Sequence, residues 1–413
     1  MALLGAPLFV VLACLTLSAF RSQEIDSTAV AIEMYRLAES PMLIAIPLFT
    51  FAGYLLAESG APRRLVKMSR ALLGWMPGGL ALVALVACAL FTAFTGASGV
   101  TIIAMGGLLL PAMRSEKYPQ VFTHGLLTTS GSLGLLFPPS LPIIILAYVA
   151  SVSVDQLFVA GVIPGLLLIA VLGVYAVLQA KRSDVPRQAF SWRELGRATR
   201  HSALEVPLPF LILGGIYGGK ITVTEAASIT AMYALIVEVG IYRDVKLRDL
   251  PRVFTESMVL VGGILIILAT ALSLTNYLID AEVPTTIFEW IQTWIDSKLL
   301  FLILLNVFLL VVGCLMDIFS AILVVVPLIL PVAQAYGVHP VHLGIIFLTN
   351  LEIGYSTPPV GLNLFIASFR FGKPVVHLYR ASLPFLALYV FALILITYLP
   401  ELSLWLVRVL NVR

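Results

Sequence analysis

The chain has 413 residues, of which 60% are hydrophobic and only 11% are charged, and its formal net charge is +3. A soluble domain carries about 25% charged residues, so this composition excludes a soluble protein and predicts an all-α protein that crosses a membrane several times. The chain also has no soluble basic domain, which excludes nucleic acid as a partner and leaves the lipid bilayer as its surroundings.

The distribution of charge predicts which side of the membrane each connecting segment faces. Of the 25 Lys and Arg residues, 19 lie in five segments between apolar stretches. These basic segments are 59–76, 112–120, 181–206, 242–252 and 370–380. The segments 21–40 and 279–298 are rich in acidic residues instead. By the positive-inside rule the basic segments are cytoplasmic, which predicts a cytoplasmic N-terminus and a periplasmic C-terminus.

The apolar stretches predict helices of two kinds. Those predicted to cross the membrane once are, in chain order, 2–20, 41–58, 157–180, 207–219, 223–241, 253–278 and 381–408. The segments 77–111 and 299–335 each begin and end on one side, so they predict re-entrant hairpins, with two short full crossings as the alternative. Their tips fall at 95–99 and 313–317. In the longest basic segment, 191–195 predicts either an amphipathic helix at the membrane surface or a solvated linker.

Two further apolar segments, 121–150 and 341–370, predict broken transmembrane helices. Each contains two adjacent prolines, Pro138–Pro139 and Pro358–Pro359, which cannot continue a regular helix because proline lacks an N–H and its ring opposes a carbonyl. Unwound backbone at membrane depth is tolerated only where it is buried in protein or lines a polar cavity. Paired broken helices therefore indicate the binding site of a transporter.

The two interruptions belong to an internal repeat. Gly134 and Gly354 are 220 residues apart, and the same offset relates the two proline pairs. It also relates Pro111 to Pro331 and Pro164 to Pro384. Because corresponding segments receive opposite orientations from the charge distribution, the sequence predicts an inverted repeat with two hairpins and two broken helices.

This repeat predicts a division into scaffold and transport units. Scaffold helices occupy 1–76, and the first transport repeat occupies 77–180. A cytoplasmic linker and further scaffold helices follow in 181–278, and the second transport repeat occupies 299–413.

The hairpin tips and helix breaks are expected to meet near the membrane midplane. Carbonyl oxygens freed by unwinding suit a small alkali cation, and the N-termini of half-helices suit an anionic substrate group. The candidate cation ligands are Thr95, Ser98, Gly134, Phe137 and Pro139 in the first half and Gly313, Asp317, Gly354, Thr357 and Pro359 in the second. The candidate substrate contacts are Ser98, Asn350 and Asn363, although the two amides could equally be packing groups.

Two carboxylates lie at membrane depth beside the second hairpin and break. Asp317 is interpreted either as a cation ligand or coupling group, or as an aspartate bonded to the hairpin backbone that holds the tip open. Glu352 is interpreted either as a structural group that bonds to unwound backbone, which is the preferred interpretation, or as a functional carboxylate.

Five motifs carry a resemblance to a known family. They are TGASG at 95–99, GSLGLLFPPS at 131–140, FVAGVIPG at 158–165, GVHPVHLG at 337–344 and TPPVG at 357–361. The chain resembles the large membrane subunit of tripartite ATP-independent periplasmic (TRAP) transporters over nearly its whole length.

The resemblance implies an elevator-type secondary transporter in a bacterial inner membrane, which imports an organic acid with sodium ions bound at the hairpins and breaks. It implies two partners, a small four-helix membrane subunit and a periplasmic substrate-binding protein, and neither enzyme activity nor a cofactor. The family-like start at 3–8 predicts that the small subunit is a separate chain. The alternative function is a stand-alone transporter coupled to Na+ or H+ that uses no binding protein.

Overall fold

The computed structural model describes residues 6–24, 26, 28–183, 185, 189–218 and 220–411. Within those ranges every regular element is a helix, as the composition predicts. Parts of several sequence-based expectations lie outside the described residues, among them the start of the predicted helix 2–20 with the family-like residues 3–5, Arg187 in the longest basic segment, and Gly219 at the end of a predicted helix.

In the described part of the first half, the chain folds into nine α-helices. They are α1 (Leu8–Ser22), α2 (Thr28–Ala38), α3 (Ala45–Glu58), α4 (Ala61–Leu73), α5 (Gly79–Thr95), α6 (Ser98–Ser115), α7 (Gln120–Thr129), α8 (Leu141–Val149) and α9 (Val154–Arg182). A 3-10 turn at Pro41–Ile44 precedes α3, and a 3-10 segment at Ser130–Leu136 continues α7. Here α5 and α6 form the first hairpin, and α7 and α8 form the first broken helix.

Two helices connect the halves, α10 (Trp192–His201) and α11 (Pro207–Tyr217). The helices that follow are α12 (Val223–Leu235), α13 (Leu250–Asp280), α14 (Val283–Gln292), α15 (Lys298–Leu315), α16 (Ile318–Ala335), α17 (Pro340–Gly354), α18 (Leu362–Phe371), α19 (Val375–Tyr398) and α20 (Glu401–Val409). A π-helical turn at Ile236–Ile241 extends α12. The second hairpin is α15 with α16, and the second broken helix is α17 with α18.

Helix boundaries recur at the 220-residue offset found in the sequence. Adding 220 to the ends of α6 gives the ends of α16, and α15 begins one residue before the position that corresponds to the start of α5. Both peptide bonds within the proline pairs, Pro138–Pro139 and Pro358–Pro359, are cis. The two halves therefore share one order of elements, while their opposite orientation in a membrane stays a prediction.

Many of these helices suit a membrane. In the described part of the chain, eight helices are long and apolar enough to cross one, or nine if α7 and α8, bent by 47° at their break, count as one span. The chain is a multi-pass membrane protein.

The structure corrects several predicted connections. The acidic segments 21–40 and 279–298 contain α2 and α14, and the basic segment 59–76 contains α4. The predicted helix 381–408 is divided into α19 and α20 at Leu399, because Pro400 disfavours helical backbone at the residue before it. In the longest basic segment α10 forms, as one of the two interpretations predicts, with the Ser191 hydroxyl accepting from the N–H of Glu194 at its start.

A buried ion-pair cluster holds α4 to the segment before α11 and to the end of α12. The Arg64 guanidinium bonds to Glu205 at 2.5 Å, Glu238 at 2.8 Å and Asp244 at 2.5 Å, and its Cζ lies 4.0 Å from the centre of the Tyr242 ring. Burial opposes its charge, but the hydrogen bonds to Glu205 and Asp244 outweigh that cost and raise the pKa of Arg64. The segments that carry Glu205, Glu238 and Asp244 are thereby held to the side chain of Arg64.

The hairpins and broken helices exchange partners between the halves. The hairpin arm α6 packs against α18 of the second broken helix, and the corresponding arm α16 packs against α8 of the first. Both breaks therefore lie where the two halves meet.

Candidate functional site

The first hairpin turns at Gly96 and Ala97. Gly96 has φ +64°, a left-handed conformation that glycine adopts without strain. A Cβ at this position would lie 2.8 Å from Cδ1 of Leu141, at the start of α8. Thr95 and Ser98, on either side of the turn, are both buried. The tip is therefore packed against the first broken helix.

Thr92, which sequence reasoning missed, links the hairpin to the first break. Its hydroxyl lies 2.8 Å from the carbonyl oxygen of Gly131 and 2.7 Å from the hydroxyl of Thr101 on the other hairpin arm. The signal in the sequence was a hydroxyl side chain inside an otherwise apolar hairpin arm. The Gly134 backbone touches the same arm, because a Cβ there would lie 2.2 Å from the carbonyl oxygen of Ala89.

The first break departs from α-helical geometry between α7 and α8. The backbone is 3-10 up to Leu136, and Phe137 is extended, with its N–H donating to the Gly134 carbonyl at 3.0 Å. The predicted ligands Gly134, Phe137 and Pro139 all belong to this stretch that departs from α-helical geometry. The stretch lies beside the hairpin that carries Thr95 and Ser98.

Asp317 begins the second arm of the second hairpin. Its Oδ1 accepts from the N–H groups of Phe319 at 3.0 Å and Ser320 at 3.1 Å, and its Oδ2 accepts from the Ser320 hydroxyl. The carboxylate therefore caps α16, which is the structural alternative that the sequence left open. Because an ionised carboxylate has about four acceptor sites, its role as a cation ligand stays a prediction.

The second break is held against its hairpin by backbone contacts. A Cβ on Gly354 would lie 2.4 Å from the carbonyl carbon of Gly313, and the N–H of Gly361 donates to the Cys314 carbonyl at 3.2 Å. The hydroxyl of Tyr355, another residue that sequence reasoning missed, accepts from the N–H of Ile318. The signal was a tyrosine directly after the glycine of the break.

The other two predicted ligands of the second break are also bonded locally. The Thr357 hydroxyl donates to the carbonyl of Ile353 at 2.8 Å, and the Pro359 carbonyl accepts from the hydroxyl of Tyr379 at 2.8 Å. These hydrogen bonds set the orientation of the Thr357 hydroxyl and of the Pro359 carbonyl.

Ser98 and Asn363 are brought together from opposite halves of the chain. The Ser98 hydroxyl donates to Oδ1 of Asn363 at 2.7 Å, and both side chains are buried. The Asn363 amide nitrogen has no hydrogen-bond partner among the described residues. A buried donor without a partner costs free energy, so this amide is available for an acceptor group on a ligand.

Asn350 is placed elsewhere. Its amide nitrogen donates to Oδ1 of Asn306 at 2.7 Å and to the carbonyl of Ile346 at 2.8 Å. Asn306 in turn bonds to Thr397 on α19 at 3.1 Å. The Asn350 amide nitrogen is therefore used in packing, while its Oδ1 is buried without a partner among the described residues, so its role as a substrate contact stays a prediction.

The prediction that the Glu352 side chain bonds unwound backbone is wrong. Neither carboxylate oxygen has a hydrogen-bond partner within the described chain, although the residue is fully buried. The backbone carbonyl of Glu352 does accept a hydrogen bond, from the Ser132 hydroxyl at 3.5 Å. Ser132 and Glu352 are 220 residues apart, so the two halves meet here at corresponding positions.

The donors at the breaks suit a hard cation. Among the residues that the structure describes, no group of three or more His, Cys, Asp or Glu side chains could hold a metal ion. The hairpins and breaks offer carbonyl and hydroxyl oxygens together with the carboxylates of Asp317 and Glu352, hard oxygen donors that suit an alkali cation better than a transition metal.

These features define a class of protein, a membrane transporter with a site between paired helix breaks. The fold agrees: the structure matches the YdaH transporter of Alcanivorax borkumensis with a TM-score of 0.64, covering 96% of this chain and 97% of that one at 14% identity.

The sequence matches the family model described as "Tripartite ATP-independent periplasmic transporter, DctM component" over residues 1–402. It is 38% identical to the C4-dicarboxylate TRAP transporter large permease protein of Pseudomonas aeruginosa, covering 94% of this chain and 91% of the relative. The corresponding protein of Rhodobacter capsulatus is 36% identical, with 99% and 97% covered. The isethionate TRAP transporter permease protein DctMQ of Oleidesulfovibrio alaskensis is 33% identical, with 88% and 58% covered.

The chain belongs to the DctM family and is a TRAP transporter large permease. Its relatives are named as transporter subunits and not as enzymes.

Proposed function

We propose that this chain is the translocation subunit of a sodium-coupled TRAP transporter in a bacterial inner membrane. It imports an organic acid anion that a periplasmic binding protein delivers, and it works with a small four-helix membrane subunit. Its N-terminus is cytoplasmic and its C-terminus periplasmic.

The contact that best supports this proposal joins Ser98 to Asn363. It connects the first hairpin tip to the second broken helix, so one substrate group can be held by both halves at once. The unpartnered amide of Asn363 is a donor for an anionic oxygen. Sodium, as the co-transported ion, takes the carbonyl and hydroxyl oxygens of the two breaks and the remaining acceptor sites of Asp317.

The names of the relatives support the substrate class and the partners. Two are C4-dicarboxylate permeases and one is an isethionate permease, so an organic acid anion is the shared substrate chemistry. The isethionate relative carries the name DctMQ, and this chain spans 58% of its length, which favours a second membrane subunit.

An unequal packing of the halves supports the elevator mechanism. In the first half α3 packs against the hairpin arm α5, where a Cβ on Gly53 would lie 2.5 Å from the Phe94 carbonyl oxygen. In the second half α13 packs against the other arm, α16, and one side of α15 is exposed at Val307, Phe308 and Val311. If each half adopts the packing that the other half now has, the hairpins and breaks move together as one block relative to the scaffold helices.

Thermal unfolding in sodium chloride against potassium and choline chloride tests the sodium sites. A cation that binds only the folded protein stabilises it by about 2.7 kcal/mol at roughly a hundredfold excess over Kd. We expect a sodium-specific rise in the unfolding temperature that Asp317→Asn and Thr357→Ala reduce. Because asparagine caps helices as well as aspartate does, Asp317→Asn removes the charge and keeps the cap.

The matched control is Glu401→Gln, which removes an exposed carboxylate that pairs with Arg408 on α20. It should leave the sodium response unchanged. An equal response to the three chlorides in the wild-type protein would contradict sodium coupling. A sodium response that survives in both site variants would remove Asp317 and Thr357 from the ligand set.

A further inference from the structure

One face of α9 is not covered by any packed helix along most of its length. The residues on this face recur at helical spacing: Val162, Leu166, Ile169, Gly173, Val177 and Leu178. They line two cavities of about 560 and 480 Å³. Leu73, Val86 and Ile169 line both cavities, so the two lie next to each other along α9, and together we call them the α9 cleft.

The walls of the α9 cleft come from both units of the protein. The helices α4 and α11 contribute Leu72 and Phe210 on one side, and the first helix break contributes Phe137 and Pro138 at one end. The remaining lining is almost entirely apolar. A cleft of this kind inside a bilayer is filled by hydrocarbon rather than water.

The α9 cleft is long enough for a whole acyl chain. Sixteen residues separate Val162 from Leu178, which is about 24 Å along a helix that rises 1.5 Å per residue. The hydrocarbon layer of one leaflet is about 15 Å, half of the bilayer core.

The end of the cleft near Leu178 is basic and aromatic. Lys181 and Arg182 lie one turn beyond Val177 and Leu178 on the same helix face, and both are exposed.

An aromatic cluster lies at the same end. Trp75 precedes the lining residue Met76, and its ring centre is 6.4 Å from that of Phe190, which lies 4.9 Å from the ring centre of Trp192. Tryptophan with lysine and arginine is typical of a membrane–water interface, where basic side chains attract anionic lipid headgroups.

We propose that the α9 cleft binds one anionic phospholipid, with an acyl chain along α9 and the phosphate of its headgroup at Lys181 and Arg182. The chain lies between α9 and the scaffold helices α4 and α11. Its far end reaches Phe137 and Pro138, so the lipid forms part of the wall behind the first helix break. Charge complementarity selects the headgroup, and the shape of the cleft selects the chain.

Native mass spectrometry of the full-length protein, delipidated in detergent, tests the proposal. The probes are phosphatidylglycerol and phosphatidylcholine with identical acyl chains. We expect one retained phosphatidylglycerol, bound at least fivefold more strongly than phosphatidylcholine.

Val174→Trp fills the cleft and should abolish retention of either lipid. Val174 is 62% exposed, so the protein tolerates the larger ring. The matched control is Val259→Trp on α13, where the side chain is 70% exposed outside the cleft. Equal retention by both tryptophan variants would show that exchanging bulk lipid fills the cleft and would overturn the proposal.

The headgroup contact is tested by a double variant, Lys181→Gln with Arg182→Gln. It should bind the two lipids equally, while the control pair Lys246→Gln with Arg248→Gln keeps the preference for phosphatidylglycerol. A preference that survives in the first pair, or that is missing in the wild-type protein, would overturn the assignment of the anionic headgroup.

Discussion

At the scale of single residues, two asparagines that look equivalent in the sequence have different hydrogen-bond partners in the structure. Asn350 and Asn363 flank one helix break, yet Asn350 is bonded to Asn306 and backbone, and Asn363 meets Ser98 with its amide nitrogen unpartnered. The difference depends on which helix faces each side chain, and that is decided by long-range packing. A single sequence carries no signal for it.

Substitutions in the Ser98–Asn363 pair and at Asn350 should therefore affect different properties, substrate uptake and thermal stability. We expect Ser98→Ala and Asn363→Ala to raise the KM for substrate uptake into proteoliposomes about tenfold, the effect of losing roughly 1.4 kcal/mol of hydrogen bonding. Asn350→Ala should lower the thermal stability instead, by about 1–3 kcal/mol, because Oδ1 of the buried Asn306 loses the amide that donates to it at 2.7 Å. An unchanged KM in both of the first variants would exclude the pair from substrate binding.

At the scale of secondary-structure elements, each hairpin is held to its helix break by backbone contact. Gly134 lies against α5, and Gly354 lies against Gly313 of α15. Both positions require glycine because no Cβ fits between the break and the hairpin.

Adding one methyl group should separate these elements. Gly354→Ala places a Cβ 2.4 Å from the Gly313 backbone, and such overpacking costs about 1–3 kcal/mol. The control is Gly196→Ala on α10, where nothing lies within 4 Å of the added Cβ. It should be neutral or stabilising by up to about 1 kcal/mol. Thermal unfolding distinguishes the two, and equal midpoints would contradict the close contact.

The ion-pair cluster around α4 makes a similar prediction for the scaffold. Arg64→Ala leaves the buried carboxylates of Glu205 and Glu238 unpaired, which costs about 3–5 kcal/mol. Arg252→Ala removes an exposed arginine that bridges α13 to Glu58 of α3 and also pairs with Glu256 on its own helix, and it should leave the unfolding temperature unchanged. A small effect at Arg64 would mean that water reaches the cluster.

At the scale of the whole molecule, the repeat relates one observed contact to one that is expected after transport. Gly53 on α3 contacts Phe94 and Thr95 of α5. Adding 220 residues pairs Ser273 on α13 with Leu315 of α15, two helices that do not pack closely on each other in this structure.

Cysteines at Ser273 and Leu315, in a chain whose native Cys14, Cys88 and Cys314 are replaced, test the exchange. We expect oxidative cross-linking in proteoliposomes that increases during transport. The control pairs Ser273 with Leu299, at the far end of α15, and should not cross-link. If no cross-link forms under any transport condition, α13 and α15 do not adopt the packing that α3 and α5 have in the first half. The proposed exchange between the halves would then be wrong.

Much of the fold could be predicted from the sequence because membrane helices need long apolar runs and adjacent prolines interrupt them. The hairpins, both breaks and the 220-residue offset follow from those two constraints. The short helices α2, α4 and α14 could not, because they lie in charged segments and depend on contacts such as Arg64 with Glu205. Glu352 was misjudged because burial without a partner leaves no pattern in the sequence.

The contact between Gly354 and Gly313 limits how such a chain can diversify. Where two backbones touch, selection has no side chain to alter, and each substitution changes the spacing rather than the chemistry. If Ser98 and Asn363 bind the substrate as proposed, new substrates arise through side chains such as these. The protein can thus change its cargo while the parts that move that cargo remain the same.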